Sequence, residues 1–365
     1  MTLPCHWYEC DTRCIAVHQQ PARLIELCLS RGIDSHRLLR GTSLFLEDVA
    51  QATTQISPSQ FLILIDNAQR LLAADDSSFL FGQRLLPGHH GAASQALALA
   101  NNLQQALELL GELRALLSPL LSPRLLLDEQ HAYLYWLDSC GLGEQRRFLL
   151  EASMTAVVAM SRRLGGEHLP WQFHFRQATP RQIEQYWVHL GEDLHFNRPY
   201  DLLRLPREYL TRPWPQTVQS TAQVACQQAR QQLQALGVQA SLLDTLQRWL
   251  LRHVRQAPNL EHAAAALAMS PATLKRKLHK HGTSYQEQHD QIRLLVALYL
   301  YQLKGYSNDE VASHLRFHDA TNFRRSFKRW TGLAPSALRQ LLSCGRNRRA
   351  KRRRHCLRRP PQSRS

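Results

Sequence analysis

One plan occurs twice in the last third of the chain, and it limits the possible folds more than any other feature. The segments "LEHAAAALAMSPATLKRKLHKHG" (260–282) and "SNDEVASHLRFHDATNFRRSFKRWTG" (307–332) share it. Each has a short alanine-bearing helix, a tight turn, and a second helix with apolar residues four apart and cations between them. Ala264 and Ala312 occupy the two first helices, 48 positions apart. Small residues there permit a close crossing at a sharp turn, so each segment is predicted to be a helix-turn-helix.

The second helices resolve into two faces at about 100° per residue. Over 271–281, Leu274, Leu278 and His281 share one side, opposite Thr273, Arg276, Lys277 and Lys280. Over 319–330, Phe323, Phe327 and Trp330 lie opposite Thr321, Arg324, Arg325 and Lys328. Each helix is expected to carry a buried stripe and a cationic ridge. Such a ridge fits the DNA major groove, where Arg bonds guanine O6 and N7 and Thr reaches base edges or a thymine methyl. The segment 284–304 reads as a connecting helix of about 20 residues, roughly 30 Å long. That length could hold two reading helices about 34 Å, or one DNA turn, apart.

The competing explanation is a solvated charged face, and the location of charge weighs against it. The formal net charge is +16, yet residues 251–365 hold 24 Lys and Arg against 6 Asp and Glu. The remaining 250 residues hold 21 against 23, so all the excess positive charge lies with the repeated motif. A polyanion-binding module on a body of ordinary charge is implied. The last 20 residues contain 10 cations and no acid, and are expected to be disordered in isolation. They read equally as a phosphate-binding arm or as a weakly constrained extension.

At 365 residues there is length for two or three domains. Residues 20–86 and 94–117 read as helix, separated by the glycine-bearing loop "LPGHHGAAS". Residues 124–137 and 171–177 change to the period of strands. "WQFHFRQ" alternates Trp171, Phe173 and Phe175 with polar partners, the mark of a half-buried strand. "TRPWPQ" interrupts any regular element and marks a boundary. The expected class is α+β: a mixed α/β N-terminal effector domain followed by an all-α double helix-turn-helix domain. The expected divisions are 1–20 leader, 21–212 regulatory domain, 213–240 linker with a glutamine-rich helix, 241–342 DNA-binding domain and 343–365 basic tail.

The N-terminus lacks a secretory pattern, and no stretch has the roughly 18 apolar residues of a membrane span. Eight cysteines without a disulfide framework fit a reducing cytoplasm. Cys5, His6, Cys10, Cys14 and His18 are residue types that bind zinc, but Cys28 and Cys140 are isolated, so scattered cytosolic thiols are favoured over a metal site. His89 and His90 in the glycine loop could touch a ligand, although a simple turn is favoured. Trp171, Phe173 and Phe175 could line an effector pocket, with a strand's core face favoured.

From about Leu242 to Arg339 the chain resembles the AraC/XylS transcriptional regulators. Ala264, Ser270, Leu274, Leu278, Gly282, Arg293, Ala312, Phe317, Phe323, Phe327, Gly332 and Pro335 match in order, including a second turn one residue longer than the first. The resemblance implies two helix-turn-helix units joined by a long helix. It places base contacts at Ala272, Thr273, Lys275 and Arg276, then at Ala320, Thr321, Arg324 and Arg325. With the ridge cations, the expected DNA-facing set is Thr273, Lys275, Arg276, Lys277, Lys280, Thr321, Asn322, Arg324, Arg325 and Lys328. Arg329 is expected to meet phosphate as well. The family usually has glycine where this chain has Arg316. If that position is left-handed, a side chain there costs roughly 1 kcal/mol.

"LPGHHGAASQALALANNLQQAL" and "ATPRQIEQYWVHLGEDLHFNRPYDLLRLPREYLTRP" resemble, more weakly, the arabinose-binding-like companion domain of one subgroup. That resemblance implies an effector-sensing, dimerising role without named contacts. The whole chain is expected to be a cytoplasmic, non-enzymatic transcription regulator, with activator and repressor both open and no cofactor or metal expected. Its implied partners are double-stranded promoter DNA, a small-molecule effector, RNA polymerase and a second copy of the chain, with no membrane. The alternative from another class is a zinc-dependent alkyl-transfer repair protein using Cys10 and Cys14.

Overall fold

The computed structural model describes residues 7–215 and 219–338. The chain divides into two compact units. The first takes the chain up to Leu246 together with Ala266–Thr283; the second takes Gln247–Ala265 and the chain from Ser284 onward.

In the first unit, the helix Gln20–Ser30 begins with a proline in its first turn, where the missing N–H leaves no bond unmade. The helix Pro58–Leu72 starts in a capping box: the Gln60 N–H donates to Ser57 Oγ at 3.2 Å, and the Ser57 N–H donates to Gln60 Oε1 at 2.9 Å. Phe61, Leu64, Ile65 and Ala68, spaced along one helical face, are buried in the core. The helix Ser77–Gln83 crosses Arg146–Gly165 so closely that a Cβ on Gly82 would stand 2.4 Å from the Ala152 carbonyl oxygen.

Residues 94–117, expected as one helical stretch, form three helices: Ala92–Ala98, Leu103–Glu112 and Arg114–Leu117. Asn102 makes the first of the two breaks, because its side chain caps the second helix by accepting from the Gln105 N–H at 2.9 Å. In the expected leader, Trp7–Tyr8 pairs in parallel with Ala240–Ser241, and Ile15–Ala16 pairs antiparallel with Gln55–Ile56. Tyr8 is buried and its hydroxyl donates to the Pro119 carbonyl at 2.7 Å.

A five-stranded sheet comprises β1 (Leu121–Leu127), β2 (His131–Asp138), β3 (Gln172–His174), β4 (Leu194–His195) and β5 (Leu202–Pro206), ordered β1-β2-β5-β3-β4. β3 and β4 are parallel and the other pairs antiparallel. Leu125, Leu134, Leu203, Phe173 and Leu194 lie in one cross-strand row, and Leu134, Leu203 and Phe173 are buried in the core. Side chains one residue away point to the opposite face.

Trp171, Phe173 and Phe175 are core residues, as favoured from their alternation. The strand is not half-buried, however: Gln172 is 5 % exposed and His174 9 %. The alternation fixed the two faces correctly but could not show that the polar one is covered as well.

In the second unit, the helix Tyr285–Tyr299 opens on a Ser284–Glu287 capping box and continues as one wide π turn over Leu300–Lys304, spanning the expected connecting segment. The helices Asn308–His314 and Ala320–Thr331 follow, capped by Ser307 and Asp319. Ile292, Leu300, Tyr301, Val311, Leu315, Phe323 and Phe327 are buried. The Tyr301 ring lies 5.8 Å from Phe327, edge to face, and Phe317 lies 5.5 Å from Phe323.

Candidate nucleic-acid interface

The predicted second helices are present as Pro271–Lys280 and Ala320–Thr331. Leu274, Leu278, Phe323 and Phe327 are fully buried, so each helix is fixed through its apolar stripe. Lys275, Arg276, Thr321, Asn322, Arg324, Arg325 and Lys328 are exposed on the other side, and Thr273 is half-buried. Trp330 is half-buried and lies 6.0 Å from the Phe317 ring.

Local bonds distinguish members of the ridge. Thr273 Oγ1 lies 2.9 Å from Ser270 Oγ, the cap of its own helix, which turns the hydroxyl back. Asn322 Nδ2 donates to Asp319 Oδ2 at 2.9 Å, so its amide is used in capping. Arg329 pairs with Asp290 at 2.8 Å. Of the residues predicted to read bases, Lys275 and Arg276 are exposed and have no comparable tether among the described residues.

Within the first unit, the Pro271–Lys280 helix also carries acidic partners from residues 9–11. Lys277 pairs with Glu9, Lys280 Nζ lies 3.3 Å from Glu9 Oε2, and the Cys10 thiol donates to the Lys280 carbonyl at 3.7 Å. Glu9 is only 12 % exposed at its side chain. Burial pushes its carboxyl up, but the two ammonium groups more than offset this and hold it below its ordinary value. At the end of the helix, His281 is buried with Nδ1 3.2 Å from the Cys140 carbonyl. Gly141 fits there because it has no side chain: a Cβ would fall 2.1 Å from the His281 carbonyl oxygen. Sequence reasoning missed these partners, since Glu9 and Lys277 are 268 positions apart and neither has a local signal.

The second turn answers the question raised by Arg316. Its φ is +58°, in the left-handed region, and Ala268 in the first turn has φ +53°. The turn accepts arginine because the Phe317 N–H still donates to the Ala312 carbonyl at 2.9 Å and Arg316 Nε donates to the Arg255 carbonyl at 3.0 Å. Arg293, a family landmark, sits with its guanidinium 4.8 Å from the Phe317 ring centre.

His90 is buried, its Nε2 3.2 Å from the Leu85 carbonyl, and burial lowers its pKa to about 4. Cys10 and Cys14 are buried, and burial pushes both thiols up, Cys14 to about 12. Among the described residues, no group of three His, Cys, Asp or Glu is arranged to hold a metal ion. Cys5, His6 and the basic tail lie outside the described residues. No described helix is long and apolar enough to cross a membrane.

Hollows are found among the described residues of the first unit. A cavity of about 30 Å³, lined by Phe81, Leu110, Trp136 and Val157, holds no more than a water or two. An open groove of about 560 Å³ runs between the helices Leu103–Glu112 and Gln219–Ala235, where Arg230 is paired with Glu112 at 2.6 Å.

The paired helices with cationic outer faces, joined to a mixed α/β domain, define a two-part DNA-binding regulator. Residues 32–214 match the arabinose-binding N-terminal domain of AraC transcription regulators, and residues 263–341 match a helix-turn-helix domain model. The ornithine utilization regulator of Pseudomonas aeruginosa is 30% identical over 318 residues, covering 87% of this chain and 94% of that protein. The transcriptional regulator GadX of Escherichia coli is 33% identical over 91 residues, 24% of this chain and 33% of its own. The crystal structure of the regulator CdpR from Pseudomonas aeruginosa aligns over 87% of this chain and 96% of that one, with 19% identity and a TM-score of 0.41. The chain therefore belongs to the AraC family of transcriptional regulators, with an N-terminal ligand-binding domain and a helix-turn-helix DNA-binding domain. Neither the family models nor the ornithine utilization regulator lends support to the alkyl-transfer alternative.

Proposed function

We propose that the protein reads promoter DNA through Thr273, Lys275, Arg276, Thr321, Arg324 and Arg325, with Lys277, Lys280 and Lys328 meeting phosphates. The exposed arginines on helices anchored by fully buried apolar stripes carry this reading. Arginine reads guanine in a bidentate manner, and each such pair contributes about 1–3 kcal/mol of discrimination. Asn322 joins the set by exchanging its bond to Asp319 for one to DNA.

Control requires an effector with different affinities for the DNA-competent and idle arrangements. Lys277 and Lys280 have carboxylate partners in Glu9 and Asp11, so an effector favouring the arrangement without these pairs frees two cations for DNA. Ornithine, which the name of the Pseudomonas aeruginosa relative carries, is the first effector to test. The reading extends to a cytoplasmic, non-enzymatic activator that meets RNA polymerase at the promoter and binds there with a second copy of itself. The 343–365 tail adds phosphate contacts.

The test is a promoter-fragment binding assay. Arg276→Ala and Arg325→Ala are expected to relax sequence preference at separate positions; preference unchanged in both variants would sink the assignment. Removing residues 346–365 is expected to weaken binding to all sequences and flatten its salt dependence.

A further inference from the structure

The face of the five-stranded sheet opposite the core is unusually polar. Tyr133, Arg204 and Gln172 share one cross-strand row, and Tyr135, Leu202, His174 and His195 share the next. His174 is 9 % exposed, and among the described residues neither of its ring nitrogens has a hydrogen-bond partner. Arg204 Nε, one row away, is likewise buried without a partner, although Arg204 Nη2 lies 2.9 Å from His131 Nε2. A buried donor left unmade costs free energy, and such groups in native proteins call for an explanation.

We propose that this face binds a small carboxylate ligand, held by Arg204 and His174 against the ring of Tyr200. The carboxylate oxygens accept from the Arg204 guanidinium and from the one N–H of a neutral His174. Tyr200 is buried with its ring centre 5.6 Å from that of His174, giving an apolar wall for the ligand's carbon body. His195, 31 % exposed at its side chain, stacks on His174 at 4.8 Å, and its rotation opens the way in.

The charges nearby favour a carboxylate over phosphate. Asp193 Oδ1 lies 2.9 Å from His195 Nε2, and Asp128 Oδ2 accepts from the Tyr133 hydroxyl at 2.8 Å. These two acids offset the guanidiniums of Arg204 and of Arg198, which also acts on His174, so little net positive charge is left for a dianion while a monoanion is accommodated. The same acids suit a ligand that also carries a cationic nitrogen.

This inference rests on the effector role of the N-terminal domain, and the test separates the two. Full-length protein with isotope-labelled histidine is titrated with sodium propionate and, separately, with sodium phosphate, following ring resonances by NMR. The His174 resonance, assigned as the one missing in His174→Phe, is expected to shift and saturate with propionate but not with phosphate. Arg204→Gln is expected to weaken that response about tenfold, the usual effect of losing one charged hydrogen bond. His195→Ala, at a more exposed position, is expected to retain the fold and the His174 shift.

No propionate shift at His174, or a shift that Arg204→Gln leaves unchanged, overturns the site. Saturation by phosphate at similar concentration overturns its carboxylate character. The same samples are then tested on promoter DNA with L-ornithine. A DNA response that survives in His174→Phe refutes this site and leaves effector control standing. Propionate binding that behaves as expected while DNA occupancy ignores ornithine preserves the site and removes ornithine as effector.

Discussion

Asp11 Oδ2 lies 2.5 Å from the ammonium of Lys280, joining the N-terminal segment to a helix whose sequence is suited to DNA. With the Glu9 pairs to Lys277 and Lys280, it sets two ridge cations against two carboxylates. Glu9→Gln with Asp11→Asn is therefore expected to raise affinity for non-specific DNA several-fold and steepen its salt dependence, as about two more phosphates become neutralised. Filter binding across a salt series checks this, and an unchanged slope would show that the pairs compete with nothing.

The same pairs have a defined pH dependence. Glu9 and Asp11 are both held below their ordinary values of 4.5 and 3.8, Glu9 against an upward push from burial, and Asp11 chiefly by its bond to Lys280. A depressed carboxylate stabilises the pair above its ordinary pKa and loses that contribution as pH falls through the lowered value. Acid below about pH 4 is expected to separate residues 9–11 from the helix. Faster hydrogen exchange at the N–H groups near residue 10 would report it.

Buried histidines set a second window. Burial lowers both His90 and His289 from 6.5 to about 4, with Arg293 adding to the effect at His289. His174 is also lowered, by burial first and then by His195, Arg198 and Arg204. These rings are neutral in the folded chain and take up protons on unfolding. For His90 and His289 the stabilisation is complete above pH 6.5 and declines as pH falls toward 4, by up to about 1.4 kcal/mol per pH unit for each of the two. Denaturant midpoints across this range are expected to fall, and less steeply in His90→Gln.

Arg316 tests the backbone of the second turn. At φ +58° a β-branched residue is strongly disfavoured, whereas glycine is at ease. Arg316→Val is expected to lower stability by about 1–2 kcal/mol. Arg316→Gly should stay close to the parent, because relief of strain offsets the lost bond to the Arg255 carbonyl. Thermal melts of the two variants should separate, and coincident melts would contradict the left-handed turn.

Phe327 anchors the Ala320–Thr331 helix from full burial. Phe327→Ala is expected to cost about 3–5 kcal/mol, as other large-to-small aromatic core changes do. Calorimetry checks this directly, and a loss below about 1 kcal/mol would mean the stripe is not core.

The local patterns in this sequence were sufficient for the helix-turn-helix elements because their signals are short-range. Ser270 and Asp319 cap the helices they precede, and Phe323 and Phe327 recur at helical spacing. The backbone demand at Arg316 was also legible through the family pattern. Asn102 was harder, since one capping side chain divides a run whose composition favours continuous helix.

By itself, the sequence determined which faces are apolar, which are cationic, and that the chain carries a paired DNA-binding motif on a mixed α/β domain. Only tertiary structure decided which charges meet. Glu9 finds Lys277 across 268 positions, and His174 is enclosed by strands that pair it with Leu202 and His195. Periodicity reports the direction of a side chain from its own element, whereas burial and ion pairing depend on which distant segment arrives opposite it.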